Sequence, residues 1–91
     1  MLIKGVIDVD LEAMKTAEHK VVGVKQTTKA LKNGKALLVF VAGDAEERMT
    51  APLREACEEH KVECLTAESM QALGKACGIH AGAAAAAILK P

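Results

Sequence analysis

Aromatic side chains are nearly absent from this 91-residue sequence, which has no tryptophan, no tyrosine and one phenylalanine, Phe40. That excludes recognition built on aromatic platforms stacked against bases. Net charge is absent too: 12 Lys plus Arg balance 12 Asp plus Glu, so the molecule as a whole does not advertise itself to a polyanion. Cysteines are few and odd in number, three with no paired spacing, which excludes a disulfide framework. No apolar run reaches the roughly 18 residues of a membrane-spanning helix. The longest candidate, Ala81 to Leu89, is short, alanine-heavy and at the wrong end for a signal peptide. The chain reads as soluble and cytoplasmic, with no membrane partner.

What is present is small and apolar. Hydrophobic residues make up 51% of the chain, which argues against disorder, and 17 of the residues are alanines. A core so poor in rings implies thin, closely spaced layers. The length suits one domain over residues 1–91, large enough to build a core without disulfides or metals. Residues 1–9, with Leu2, Ile3, Val6 and Ile7, read either as an added strand or as a loose terminus.

Neutrality hides a segregation of charge. From Lys15 to Lys35 there are six lysines and one glutamate; from Asp44 to Glu63 there are seven acids against Arg48, Arg54 and Lys61. This describes either a bipolar molecule with one basic face or helices that merely wear solvated charges.

Strand and helix signals alternate. Leu11, Met14 and Ala17 mark an amphipathic stretch, and Val21, Val22 and Val24 a short β-branched segment broken by Gly23. Lys25 to Lys32 reads as a helix with Ala30 and Leu31 inward, stopped by Asn33-Gly34. The apolar run Ala36 to Ala42 has the pattern of a strand covered on both faces. Gly43-Asp44 is a turn. Glu46 to Glu59 follows as a helix with Met49, Leu53, Ala56 and Cys57 inward and Pro52 tolerable in its first turn. Val62 to Leu65 is a brief strand, Ser69 to Ala76 a helix stopped by Gly78, and Ala84 to Leu89 a strand by context only, since polyalanine alone prefers a helix. The sum is an α/β layer protein with helices on both faces of a small sheet.

Enzyme and metal readings find little support. Gly74-Lys75-Ala76-Cys77-Gly78 has the wrong order and length for a phosphate-binding loop. Cys57, His60 and Cys64 want a fourth ligand that only Cys77 or His80 could supply, without matching spacing. Cys77 and His80 are a thiol and a base close in sequence, yet they straddle a helix stop. Glu46-Glu47 and Glu58-Glu59 suit a solvated helix face. The chain is not expected to be an enzyme or to need a cofactor or metal.

One constellation remains, Gly23-Val24-Lys25-Gln26-Thr27-Thr28-Lys29. The glycine permits a tight strand-to-helix turn, and the helix that follows points its free amides at an anionic or acceptor-rich ligand. Lys25, Lys29 and Lys32 form a row, and Gln26 adds a donor and an acceptor able to read a base edge. An ordinary surface helix with solvated lysines fits the same pattern.

Three segments, Gly23 to Lys29, Val39 to Glu46 and Leu73 to Gly78, lie in order and nearly unbroken spacing. Together they resemble the L-seven-Ae family of ribosomal and ribonucleoprotein components that bind kink-turn RNA, and most closely its small bacterial members. The resemblance runs from about Lys20 to Leu89 and implies a three-layer α/β/α sandwich around a four-stranded mixed sheet. It implies that RNA sits on Gly23, Val24, Lys25, Gln26 and Lys29, with Lys32 continuing the basic row, and on the loop Ile79, His80, Ala81, Gly82. Lys25-Gln26 stand where many members carry Asn-Glu, replacing a carboxylate by an amide that both accepts and donates. Lys29 matches the lysine that approaches tandem G·A pairs. Ile79 would pack on an unstacked base, and Gly82 would permit close approach. His80 would contact phosphate or face water, and Glu46 would reach an extruded nucleobase or simply be an acid at a helix start.

The implied function is recognition and stabilisation of kink-turns in ribosomal RNA, a riboswitch or another transcript, by a monomer with a place in translation. The rivals are a ribosome-associated protein-interaction module working through the acidic helix Glu46–Glu59, and a small enzyme or metal protein built on the cysteines.

Overall fold

The computed structural model describes residues 11–91, so the alternatives for residues 1–9 lie outside the described residues. Eight elements follow in order: α1 (Leu11–Thr16), β1 (Lys20–Val22), α2 (Val24–Lys32), β2 (Ala36–Ala42), α3 (Glu47–Glu59), β3 (Glu63–Ala67), α4 (Met70–Cys77) and β4 (Ala85–Leu89). The strands form one sheet in the order β1-β4-β2-β3. β4 runs antiparallel to both β1 and β2, and β3 lies parallel to β2, so the sheet is mixed.

Alternation along the strands creates the layers. Phe40, Ala42 and Ala86 point into one core with Leu11, Met14, Leu73 and Ala76 from α1 and α4. Val39, Val41, Ala85 and Ala87 point into the other, with Ala30 and Leu31 of α2 and Leu53 and Cys57 of α3. Helices therefore cover both faces, giving an α/β/α sandwich. The alanine-rich β4 is what keeps it thin: Ala85, Ala86 and Ala87 are fully buried between two strands and beneath helices on either side. Their intrinsic helix preference is overridden because the sheet satisfies their backbone on both edges.

Several sequence expectations shift. Val24 is the first residue of α2 and not a strand residue, because Gly23 turns the chain one position earlier. In α3 the buried row is Thr50, Leu53 and Cys57, and Ala56 is half-buried. The core lies on the Thr50 side of Leu53, which leaves Met49 on the flank, 43% exposed. Pro52 lies past the first turn of α3. It removes the bond that the Arg48 carbonyl would accept, on an exposed face where water can serve that oxygen. β2 is not covered on both faces throughout: Ala36 is buried, but Leu37 is 53% exposed beside an irregularity in its pairing with β4. β3 starts one residue later and runs to Ala67, held by its register with β2.

Candidate nucleic-acid interface

Strand directions decide which loops meet. Because β1 and β2 oppose β4 while β3 follows β2, the exits of the first three strands and the entrance of the fourth share one end of the sheet. Three backbone bonds tie that end together: the Gly23 amide donates to the Ala85 carbonyl at 2.7 Å, Ala42 to Ala84 at 2.9 Å, and Gly43 to Ala67 at 2.8 Å. The N-termini of α2, α3 and α4 and the segment 78–84 therefore gather along one rim.

The three helix starts differ electrostatically. The start of α4 is already served: Ser69 Oγ accepts from the Ala72 amide at 3.0 Å, and Asp44 Oδ1 accepts from the Met70 amide at 2.8 Å. At α3, Glu46 occupies the cap position without capping, Glu47 follows in the first turn, and Glu46 pairs with Arg48 at 3.5 Å in the open. Only α2 has neither a side-chain cap nor an acid in its first turn. Its positive dipole end is left for an external acceptor. Gly23 enters it at φ 107°, ψ 151°, and a Cβ there would meet nothing within 4 Å. Backbone conformation, and not crowding, demands glycine at this turn.

On α2, Lys25 and Lys29 are exposed and line a hollow with Val24, Thr28 and Lys32. Gln26 is exposed in a second hollow, toward the β1 edge, with Val21, Asn33 and Leu89, and Lys29 borders both. Lys32 closes the helix, about 12 Å along the axis from Val24 at ~1.5 Å per residue, so it lies behind the rim rather than on it.

The opposite wall is the loop after α4. Gly78 ends that helix in the left-handed conformation, φ 84°, ψ 21°, and the Ile79 amide donates to the Gly74 carbonyl at 3.0 Å. The loop then presses back on α4: Ala83 donates to the Met70 carbonyl at 3.0 Å, and a Cβ on Gly74 would strike the Ala81 carbonyl. Ile79, His80, Ala81 and Gly82 are all exposed. They border a groove shared with Asp44, Met70, Gln71 and Lys75. Gly82 is explained from inside, since a Cβ would sit 3.2 Å from Met70 Cβ. Glu46 is on the same rim but does not line this groove.

Sequence reasoning missed Asp44, Gln71 and Lys75. Gln71 and Lys75 carried a signal, an exposed pair four residues apart on one helix face. Asp44 carried none, because its partner lies 26 residues away.

The thiols do not form a reactive set. Burial pushes Cys57 up to about 12, reinforced by the neighbouring Cys64. Burial also raises Cys64 and, against the opposing charge of Lys20, Cys77. Thiolate is accordingly scarce at neutral pH. Among the described residues no group of three or more His, Cys, Asp or Glu side chains converges as a metal cage.

Comparison with known proteins gives a family match, two relatives and one solved structure. Residues 6–91 match the ribosomal protein L7Ae/L30e/S12e/Gadd45 family. The chain is 50% identical over 79 residues to a protein described as RNA-binding from Geobacillus sp. strain WCH70, covering 87% of this chain and 96% of that one. It is 47% identical over 68 residues to another RNA-binding protein, from Caldanaerobacter subterraneus, covering 75% and 83%. Among solved structures, the 15.5kD RNA binding protein of Giardia lamblia superposes with a TM-score of 0.79 at 29% identity, covering 89% of this chain and 68% of that one.

Proposed function

We propose that this chain, which belongs to the ribosomal protein L7Ae/L30e/S12e/Gadd45 family, binds RNA, and that the RNA it selects is sharply bent at a kink-turn. The observation that carries this reading is the joining of two unlike surfaces on one rim. An uncapped, basic helix start and a loop bearing Ile79 are linked through the bond from Gly23 to Ala85. The relatives described as RNA-binding support the general class of ligand.

The chemistry divides between the two walls. Lys25 and Lys29 supply phosphate attraction, and the open amides of α2 with the Gln26 carboxamide supply directional bonds to base edges. Ile79 offers an apolar contact for an unstacked base, while Ala81 and Gly82 leave their backbone accessible. His80 faces solvent beside the groove, and Glu46 stands ready on the same rim for an extruded base. A straight duplex reaches one wall or the other, whereas a folded RNA reaches both. The protein thus shifts the bent population by its differential affinity, with no turnover.

A gel shift tests this with a kink-turn RNA and the same RNA whose G·A pairs are replaced by Watson–Crick pairs. Preference for the kink-turn by at least about tenfold, or ~1.4 kcal/mol, is the expected outcome. Equal affinity would leave only sequence-blind electrostatics and end the reading.

A further inference from the structure

We propose that Cys57 and Cys64 form a two-thiolate site for a soft monovalent metal ion of the cuprous class, at the end of the sheet remote from the rim. Cys57 lies in the last turn of α3 and Cys64 is the second residue of β3. The chain between them reverses tightly, with the Val62 amide donating to the Cys57 carbonyl at 2.9 Å. Both side chains pack in the same core cluster, Cys57 within it and Cys64 against it. They also line one cleft that opens to the surface between Arg54, Glu58 and Val62. Cys64 stands near the beginning of β3, whereas the rim lies beyond its end, so the site is separate from the RNA-binding surface.

The donor set selects the ion. Two sulfurs are present and no third ligand converges with them among the described residues. Cys77 is on α4, in the core on the other face of the sheet. A closed zinc site wants four ligands and cannot be completed here. Soft thiolates favour monovalent copper, for which two sulfurs suffice.

Two thiolates and one monovalent ion carry a net charge of −1. Arg54 lines the cleft, its Nη1 held by donation to Thr66 Oγ1 at 3.2 Å, and its guanidinium offsets that charge locally, with Glu55 and Glu58 on the same lining. Binding releases two protons, one from each thiol, and moves no electrons.

The test uses the reduced protein without oxygen, challenged with the coloured cuprous–bicinchoninate complex. Withdrawal of one copper per chain is expected, retained in Cys77→Ala and lost in Cys57→Ala and Cys64→Ala. X-ray absorption of the loaded natural protein, which needs no variant, should find two sulfur neighbours. The proposal fails if the complex keeps its colour, if Cys57→Ala or Cys64→Ala withdraws as much copper as the natural protein, or if the copper has three or more neighbours. Kink-turn binding by the loaded protein should be unchanged, so failure here leaves the RNA reading standing.

Discussion

At the scale of single residues, backbone conformation and burial account for choices that residue chemistry alone leaves open. Gly23 sits in a region that other residues enter only with strain, and nothing crowds it. Its role is to aim α2. Cys77 illustrates burial. Its thiol is raised in the folded protein mainly by desolvation, so the unfolded chain sheds that proton first as pH rises. Stability linked to this group is whole below the ordinary thiol value of 9.0 and declines above it. The slope for one proton is at most about 1.4 kcal/mol per pH unit. Urea unfolding across that alkaline window should show a shallower decline for Cys77→Ala than for the natural protein, even though the variant starts lower because of its cavity. Parallel slopes would show that Cys77 is not the group being titrated.

The elements show how far local pattern reaches. β2 was legible because seven consecutive apolar residues between turn signals admit few alternatives, and α2 because Gly23 and Asn33-Gly34 bracket it. The same bracketing placed Lys25, Gln26 and Lys29 together on one short helix. What escaped was long-range: the thin β4 is a strand only because β1 and β2 flank it, and the buried face of α3 was set by what Leu53 and Cys57 pack upon. Asp44 escaped for the same reason, since its value lies in reaching the start of α4. The loop wall depends equally on a distant fit, the close passage of Ala81 over Gly74. Gly74→Ala would drive a methyl group into backbone that cannot rotate away. It should destabilise the domain by at least about 2 kcal/mol, as overpacking does. It should also weaken kink-turn binding at a temperature where the variant remains folded, because Ile79 and its neighbours are displaced. Undiminished RNA affinity in the folded variant would remove the loop from the proposed interface.

For the whole molecule, charge arrangement matters more than charge total. A chain of zero net charge has little far field to steer RNA toward it, so attraction must come from lysines within a Debye length of the bound backbone, roughly 8 Å at physiological salt. The fold supplies this by placing Lys25 and Lys29 beside the one helix start on the rim that bears no acid in its first turn and no side-chain cap. The acids of α3 are held on a different helix, with Glu46 at its cap and Glu47 in its first turn. Affinity for RNA should therefore fall with salt according to the few phosphates these lysines reach, each contributing a slope of about 0.7 to 0.9. Lys29→Ala should lower the logarithmic salt slope by about one such contact. Because Lys29 is exposed, thermal or urea stability should stay within about 0.5 kcal/mol of the natural protein. Lys32→Ala, behind the rim, should alter the slope less. Matching losses from the two substitutions would mean that RNA lies along the length of α2 and not across its start.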